Sequence, residues 1–230
     1  MKKLVLAGVL GCFGMVSADC DVSGKEAYAG LNVGAGLNYV HSKADVDVMV
    51  CDGGSATRLV SEKLSKGRVG GYVELGYGSF ISDWYIGGNV VVDINKKNKQ
   101  TCEYRGLVAD VEHCGVVPSV SLKIGRYFDA FDGVAFAEFG LFKNFCRAGA
   151  FMAGIDTNIS KVSNKGFSPV VGLGVEKIVA ENIAMKISLN YRIASSKSGY
   201  VGGDSGSGDD YFASMQNKGY VVRVGCVYHF

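Results

Sequence analysis

The sequence predicts an all-β fold: an eight-stranded antiparallel up-and-down transmembrane β-barrel. Three observations carry that expectation. Segments of strict apolar/polar alternation, the period of a strand with two unlike faces, recur eight times. The connections between them alternate short and long. The composition, with 33 Gly, 2 Pro and 48% hydrophobic residues in 230, suits strands, and beyond the N-terminus no apolar run approaches the roughly 20 residues of a spanning helix.

The clearest segment is 184–193, where Met185, Ile187, Leu189, Tyr191 and Ile193 alternate with Lys186, Ser188, Asn190 and Arg192. A helix there would put Lys186, Asn190 and Ile193 on one stripe, which suits no burial. Segment 28–40 sets Ala29, Leu31, Val33, Ala35, Leu37 and Tyr39 against Gly and Asn. Segments 67–78, 84–95 and 117–128 repeat the pattern with Val73 and Leu75, with Val90 and Val92, and with Val120 and Leu122. Segment 134–145 is less clean, because Phe136 and Phe142 fall on the polar side. Segment 167–175 contains Pro169, which must sit near a strand end because it cannot donate to the ladder. Segment 219–230 closes the series with Tyr220, Val222, Val224, Cys226, Tyr228 and Phe230 on one face.

Short links fall at 79–83, 129–133 and 177–182, and each fits a tight turn. Long polar links fall at 41–66, 96–116, 147–165 and 195–218. The last contains the Gly/Ser/Asp run 202–210 and is expected to be mobile. An even number of strands leaves both termini on the short-turn side, and closure removes unpaired edges.

The other face decides between lipid and water. It carries Arg68, Glu74, Asp93, Lys123, Glu138, Glu176, Lys186, Arg192 and Arg223. A membrane barrel encloses such residues and turns the apolar ones to lipid. A soluble lipocalin-like carrier does the reverse, and stands as an alternative. Aromatics gather at segment ends, at Tyr39, Tyr77, Phe80, Trp84, Phe128, Phe167, Tyr191, Tyr220, Tyr228 and Phe230, as an interfacial girdle requires.

Residues 1–18 read as a signal peptide: Lys2 and Lys3, an apolar run from Leu4 to Val16, and small residues ending at Ala18, after which cleavage is expected. The domains are therefore 1–18, signal peptide, and 19–230, barrel. Removing 1–18 takes two of the 24 basic residues and none of the 22 acidic ones, so the mature chain is neutral. With no basic run, nucleic-acid binding is excluded. Export leaves Cys20, Cys51, Cys102, Cys114, Cys146 and Cys226 in an oxidising compartment. Cys102 with Cys114 is the candidate disulfide, Cys51 with Cys146 a second pairing, and spacing leaves the connectivity open.

Inside an eight-stranded barrel there is room for little but side chains. Depth-matching places Glu74, Lys123, Glu138 and Arg223 at mid-height as a lumen ion network, since buried charges persist only when paired. Asp93 and Arg192 near the outer mouth, and Glu176 and Lys186 near the inner one, are expected to be more solvated. The alternative role for these ions is a narrow gated porin-like channel. An enzyme is not expected. Of three histidines, His41 and its neighbour Ser42 face opposite ways, His113 lies in a polar link and His229 at the periplasmic rim. No cofactor is expected, and no metal site, because no Cys-x-x-Cys or Cys/His cluster occurs.

Two stretches carry a family resemblance. Residues 219–230, ending Val227-Tyr228-His229-Phe230, resemble the C-terminal assembly signal of Gram-negative outer-membrane barrels, with Tyr228 and Phe230 as its marks. Tyr28-Ala29-Gly30-Leu31-Asn32-Val33-Gly34-Ala35-Gly36 is similar to the opening strand of OmpA/OmpX-like and opacity-type surface-antigen barrels. The resemblance implies insertion into the outer membrane by the barrel-assembly machinery, among outer-membrane lipids and lipopolysaccharide. It also implies short turns in the periplasm, and four outer loops presented as a surface antigen or adhesin to host or cell-surface ligands. No periplasmic domain is expected after Phe230.

Overall fold

The computed structural model describes residues 24–52, 55–104, 107–113, 115–143, 146–152, 162–164, 166–203 and 210–230. The signal segment 1–18, Cys20 and Cys114 lie outside them, as do the side chains of Cys102, His113 and Cys146. Twelve strands are described: β1 (Gly30–Asp52), β2 (Ser55–Ile81), β3 (Trp84–Asn95), β4 (Asn98–Tyr104), β5 (Leu107–His113), β6 (Val116–Phe128), β7 (Gly133–Lys143), β8 (Cys146–Met152), β9 (Val162–Asn164), β10 (Phe167–Ala180), β11 (Ile183–Gly203) and β12 (Asp210–His229). Eight of them close a barrel in the order β1-β12-β11-β10-β7-β6-β3-β2, every pair antiparallel. This is the predicted up-and-down meander.

The short links are tight for local reasons. Ser82 and Asp132 adopt left-handed backbone (φ 58° and 49°), which reverses the chain within a few residues. The barrel seam closes where β1 meets β12, with Val33 opposite Tyr228. Gly30, at φ 108°, starts that seam, and a Cβ there would lie 3.0 Å from the Phe230 carbonyl oxygen.

Residues 30–39 alternate with the apolar side chains outward: Leu31 and Val33 are exposed while Asn32 and Asn38 are buried. The same holds around the ring, at Val73 and Leu75, Val90, Leu122, Leu173, Leu189 and Val224. Glu74, Asp93, Lys123, Glu138, Lys186 and Arg223 all point in and are buried. The lipocalin-like arrangement, with apolar residues lining a cavity, is thereby overturned. Of the predicted girdle, Phe80 is also corrected: it sits on the inner face of β2 and packs against Tyr85 and Tyr127.

Where the long links are described, they are mostly strands rather than loops. β1 and β2 run on together to Asp52 and Ser55, and β11 and β12 to Gly203 and Asp210, so the expected 195–218 loop is largely a hairpin, with 204–209 outside the described residues. Between them β4, β5, β8 and β9 form a second antiparallel sheet. It contacts β2 through β4, β12 through β8 and β11 through β9. β4 follows β3, β5 precedes β6, β8 follows β7 and β9 precedes β10, each across a gap of two residues, so the barrel continues as an upper tier. Pro118 and Pro169 each stand third in β6 and β10, where the tiers join and a lost N–H interrupts least.

Polarity inverts at this joint. Above Tyr39 the inward residues of β1 become Val40, Ala44, Val46 and Val48, all buried, and Met215 of β12 joins them with Leu64 packed alongside. The outward residues become charged: Lys218 pairs with Asp45 at 3.1 Å and Arg58 with Asp47 at 3.5 Å. An apolar inside under a charged outside is the pattern of a sheet in water. A 23-residue strand rises roughly 75 Å along its own axis, against the 9–11 residues a tilted strand needs to cross a bilayer.

Candidate functional site

The lumen is where sequence and fold converge, and its side chains lie in three layers. At the turn end, a 3-10 turn over Lys25–Tyr28 tucks Tyr28 into the opening. Its hydroxyl donates to the Asp132 carbonyl at 2.9 Å and accepts from the Ile178 N–H at 2.9 Å. Burial pushes this phenol up, so it stays a neutral donor. Its ring meets Tyr127 and His229 edge-on, at 6.1 and 5.6 Å between centroids. Around it an apolar cluster of Tyr85, Val134, Phe136, Ile178, Ala184 and Val227 fills the end of the barrel.

Glycines make room for these rings. A Cβ at Gly78 would come within 2.1 Å of the Tyr85 hydroxyl, and one at Gly174 within 2.5 Å of the Phe136 ring. Thus part of the glycine content answers to aromatic rings lying flat on the inner wall.

The middle layer is ionic. Lys186 Nζ donates to Glu74 Oε2 at 2.5 Å with both side chains buried. Lys123 and Lys186 lie 5.1 and 5.7 Å from the centroid of the Phe136 ring, on which cations rest favourably. Glu138 stands opposite Lys123 in the β6–β7 register and accepts from the Ser121 hydroxyl. With its amide turned to satisfy both neighbours, Asn190 donates to Glu138 Oε2 at 3.2 Å and accepts from Arg223 Nη1 at 2.9 Å. Below, His229 Nε2 lies 2.6 Å from Glu176 Oε1.

Asp93 is the hub of the upper part of this layer. Arg223 donates from Nε to Oδ1 at 2.9 Å and from Nη2 to Oδ2 at 2.8 Å, a bidentate pair. Arg192 Nη2 adds a bond to Oδ2 at 2.8 Å and Asn38 Nδ2 one to Oδ1 at 2.8 Å. The Arg192 guanidinium covers the Phe142 ring at 4.9 Å, and with Val117 and Val170 this ring starts the apolar third layer.

Of the four residues expected to form the network, all are buried, but the ion pairs run elsewhere. Glu74 pairs with Lys186, and Arg223 with Asp93. Asp93, Arg192, Glu176 and Lys186 are therefore not the more solvated mouth residues expected from the sequence; each is buried. The physical reason is that buried side chains stand on both sides of the ionic layer. Tyr28 lies below it and the apolar tier above. Four carboxylates (Glu74, Asp93, Glu138, Glu176) stand with four cations (Lys123, Lys186, Arg192, Arg223). Alternation marked all eight as inward, but only the closed barrel brings β3, β11 and β12 onto one carboxylate.

The other predicted residues are placed as follows. Tyr228 and Phe230 point outward at the seam with their rings 4.9 Å apart, and Phe230 N–H donates to the Leu31 carbonyl at 2.9 Å. The Cys102–Cys114 pairing lies outside the described residues, and Cys51 is a free cysteine, which removes the Cys51–Cys146 pairing. His41 lies 3.0 Å from Ser65 Oγ with its ring stacked on Tyr220. His229, expected at the rim, is instead buried inside. Sequence reasoning did not single out Tyr28 as a lumen residue, although as first residue of segment 28–40 it has the parity of the polar face.

No protein-family model matches the chain, and no curated protein matches it. Solved structures do. The outer membrane protein OprG from Pseudomonas aeruginosa is similar at 15% identity and a TM-score of 0.50, covering 88% of this chain and 98% of that one. Ail, the attachment invasion locus protein of Yersinia pestis, is 14% identical with a TM-score of 0.34, covering 80% and 97%. The outer membrane protease OmpT from Escherichia coli is 9% identical with a TM-score of 0.47, covering 88% and 97%. The chain has the closed antiparallel β-barrel fold of small eight-stranded outer-membrane proteins, at low sequence identity.

Proposed function

We propose that this protein is an integral outer-membrane barrel, exported by cleavage after Ala18, that acts as a non-enzymatic scaffold for a rigid β tier held above the membrane. The observation that carries the reading is the inverted polarity of its two tiers. An apolar outside around a charged inside suits lipid, and a charged outside around Val46, Val48 and Met215 suits water. The outer surface of the upper tier is then the part that meets host or cell-surface ligands. Tyr228 and Phe230 serve as the assembly signal read by the insertion machinery.

In this reading the lumen is a plug rather than a path. Tyr28, the Asp93 and Glu74 ion pairs and the upper apolar layer fill it in series, and internal ion networks of this kind support small barrels. The test is single-barrel recording in planar bilayers. The expected outcome is no steady conductance from the folded protein, whereas a reproducible open level would replace the plug with a gated channel.

A further inference from the structure

The lipid-facing wall is not uniform. Between the two girdles the outward positions of the eight barrel strands are uncharged, and at the periplasmic edge the outward cations in the strands are Arg126 on β6 and Lys177 on β10. They flank β7, whose outward residues there are the small Gly133, Ala135 and Ala137. The larger neighbours Ile124 and Phe128 on one side, and Leu173 and Val175 on the other, stand up as walls. The result is a shallow apolar hollow of about 530 Å³ centred on Ala135, reaching Ile187 and Leu189 of β11 on one side, with Trp84 and Arg126 at its lower rim.

The cations are available. Arg126 is 57% exposed and reaches Asp83 only at 3.8 Å, while the same carboxylate is held by Lys25. Lys177 makes no ion pair among the described residues. The opposite side of the barrel, at the same depth, carries Tyr77, Tyr228 and Phe230 and no outward cation. An apolar hollow with Arg126 at its rim, and Lys177 exposed two residues beyond its Val175 wall, offers a hydrocarbon surface beside two cations at the headgroup level on one side only. We infer that this hollow binds an anionic glycerophospholipid of the periplasmic leaflet, its phosphate between Arg126 and Lys177 and one acyl chain over Ala135 and Ala137. The inference rests on the membrane-spanning reading above.

Trp84 is the single tryptophan of the chain and lines the hollow, so it reports on occupancy directly. The experiment reconstitutes the full barrel in phosphatidylcholine vesicles and titrates in phosphatidylglycerol with brominated acyl chains, which quench indole on contact. Wild type should show saturating quenching at a low mole fraction of the brominated lipid. Arg126→Gln and Lys177→Gln should each weaken that association about fivefold, as expected for one basic side chain at a lipid surface. Ala135→Leu, which fills the hollow and leaves both charges, should remove the saturating component. Quenching that follows bulk mole fraction identically in all variants would overturn the inference and leave the membrane reading intact. So would quenching that changes with protein-to-lipid ratio, because a second copy would then be the occupant. No quenching by any brominated chain would instead remove the membrane reading itself.

Discussion

At the scale of single residues, Asp93 carries the most. It is buried to 0% exposure and accepts from two guanidiniums and one amide, so removing it takes away the carboxylate that Arg192 and Arg223 share. Asp93→Ala is expected to destabilise the folded barrel by about 3–5 kcal/mol, read as a shift in the urea midpoint of the protein refolded into vesicles. A more exposed carboxylate gives a pH effect. The Lys25 ammonium, through its hydrogen bond and its charge, holds the Asp83 carboxyl below its ordinary value of 3.8. A lowered folded-state value means the tether is intact above 3.8 and is lost as the pH falls below it. Amide exchange at residues 25–28, corrected for intrinsic rates, should therefore rise in acid in the wild type. Asp83→Asn should show the raised exchange already at neutral pH.

At the scale of elements, the eight barrel strands were legible because a wall between lipid and a charged interior imposes a strict two-residue period. Segment 184–193 and its structure in β11 agree side chain by side chain. The upper tier was misread. The signal was present in Ala44-Asp45-Val46-Asp47-Val48, which alternates as cleanly as any membrane segment but with polarity reversed. Its charges made it look like a loop, whereas a charged face is what a strand in water presents. Val46→Asp places a carboxylate among Ala44, Met215 and Leu64. It is expected to open the upper tier to trypsin at Lys43, Arg58 and Lys63 while the membrane tier remains protected, as seen by fragment mass after digestion of reconstituted protein.

For the whole molecule, the direction of the apolar face governs insertion. Leu189 lies outward and 53% exposed in the middle of the band, and its neighbour Ser188 points into the lumen. Leu189→Arg should destabilise the inserted state by about 2–4 kcal/mol, measured as folding yield into vesicles. Lys63→Glu, a charge reversal at an outward position of the upper tier, should leave that yield unchanged. Both positions are outward on a strand, but only at Leu189 does the substitution put a charge against lipid.

The sequence by itself determined the all-β meander, the closed count of eight and the inward set of charges, because each follows from a local period and from link lengths. Tertiary structure decided which charges meet. Asp93, Arg192 and Arg223 come from β3, β11 and β12, and only the shear and closure of the barrel bring their layers to one depth. It also decided which inward residues are buried. Tyr28 at one end and Val117, Phe142 and Val170 at the other stand over residues the sequence placed at the mouths, and burial depends on what lies across the lumen rather than on neighbours along the chain.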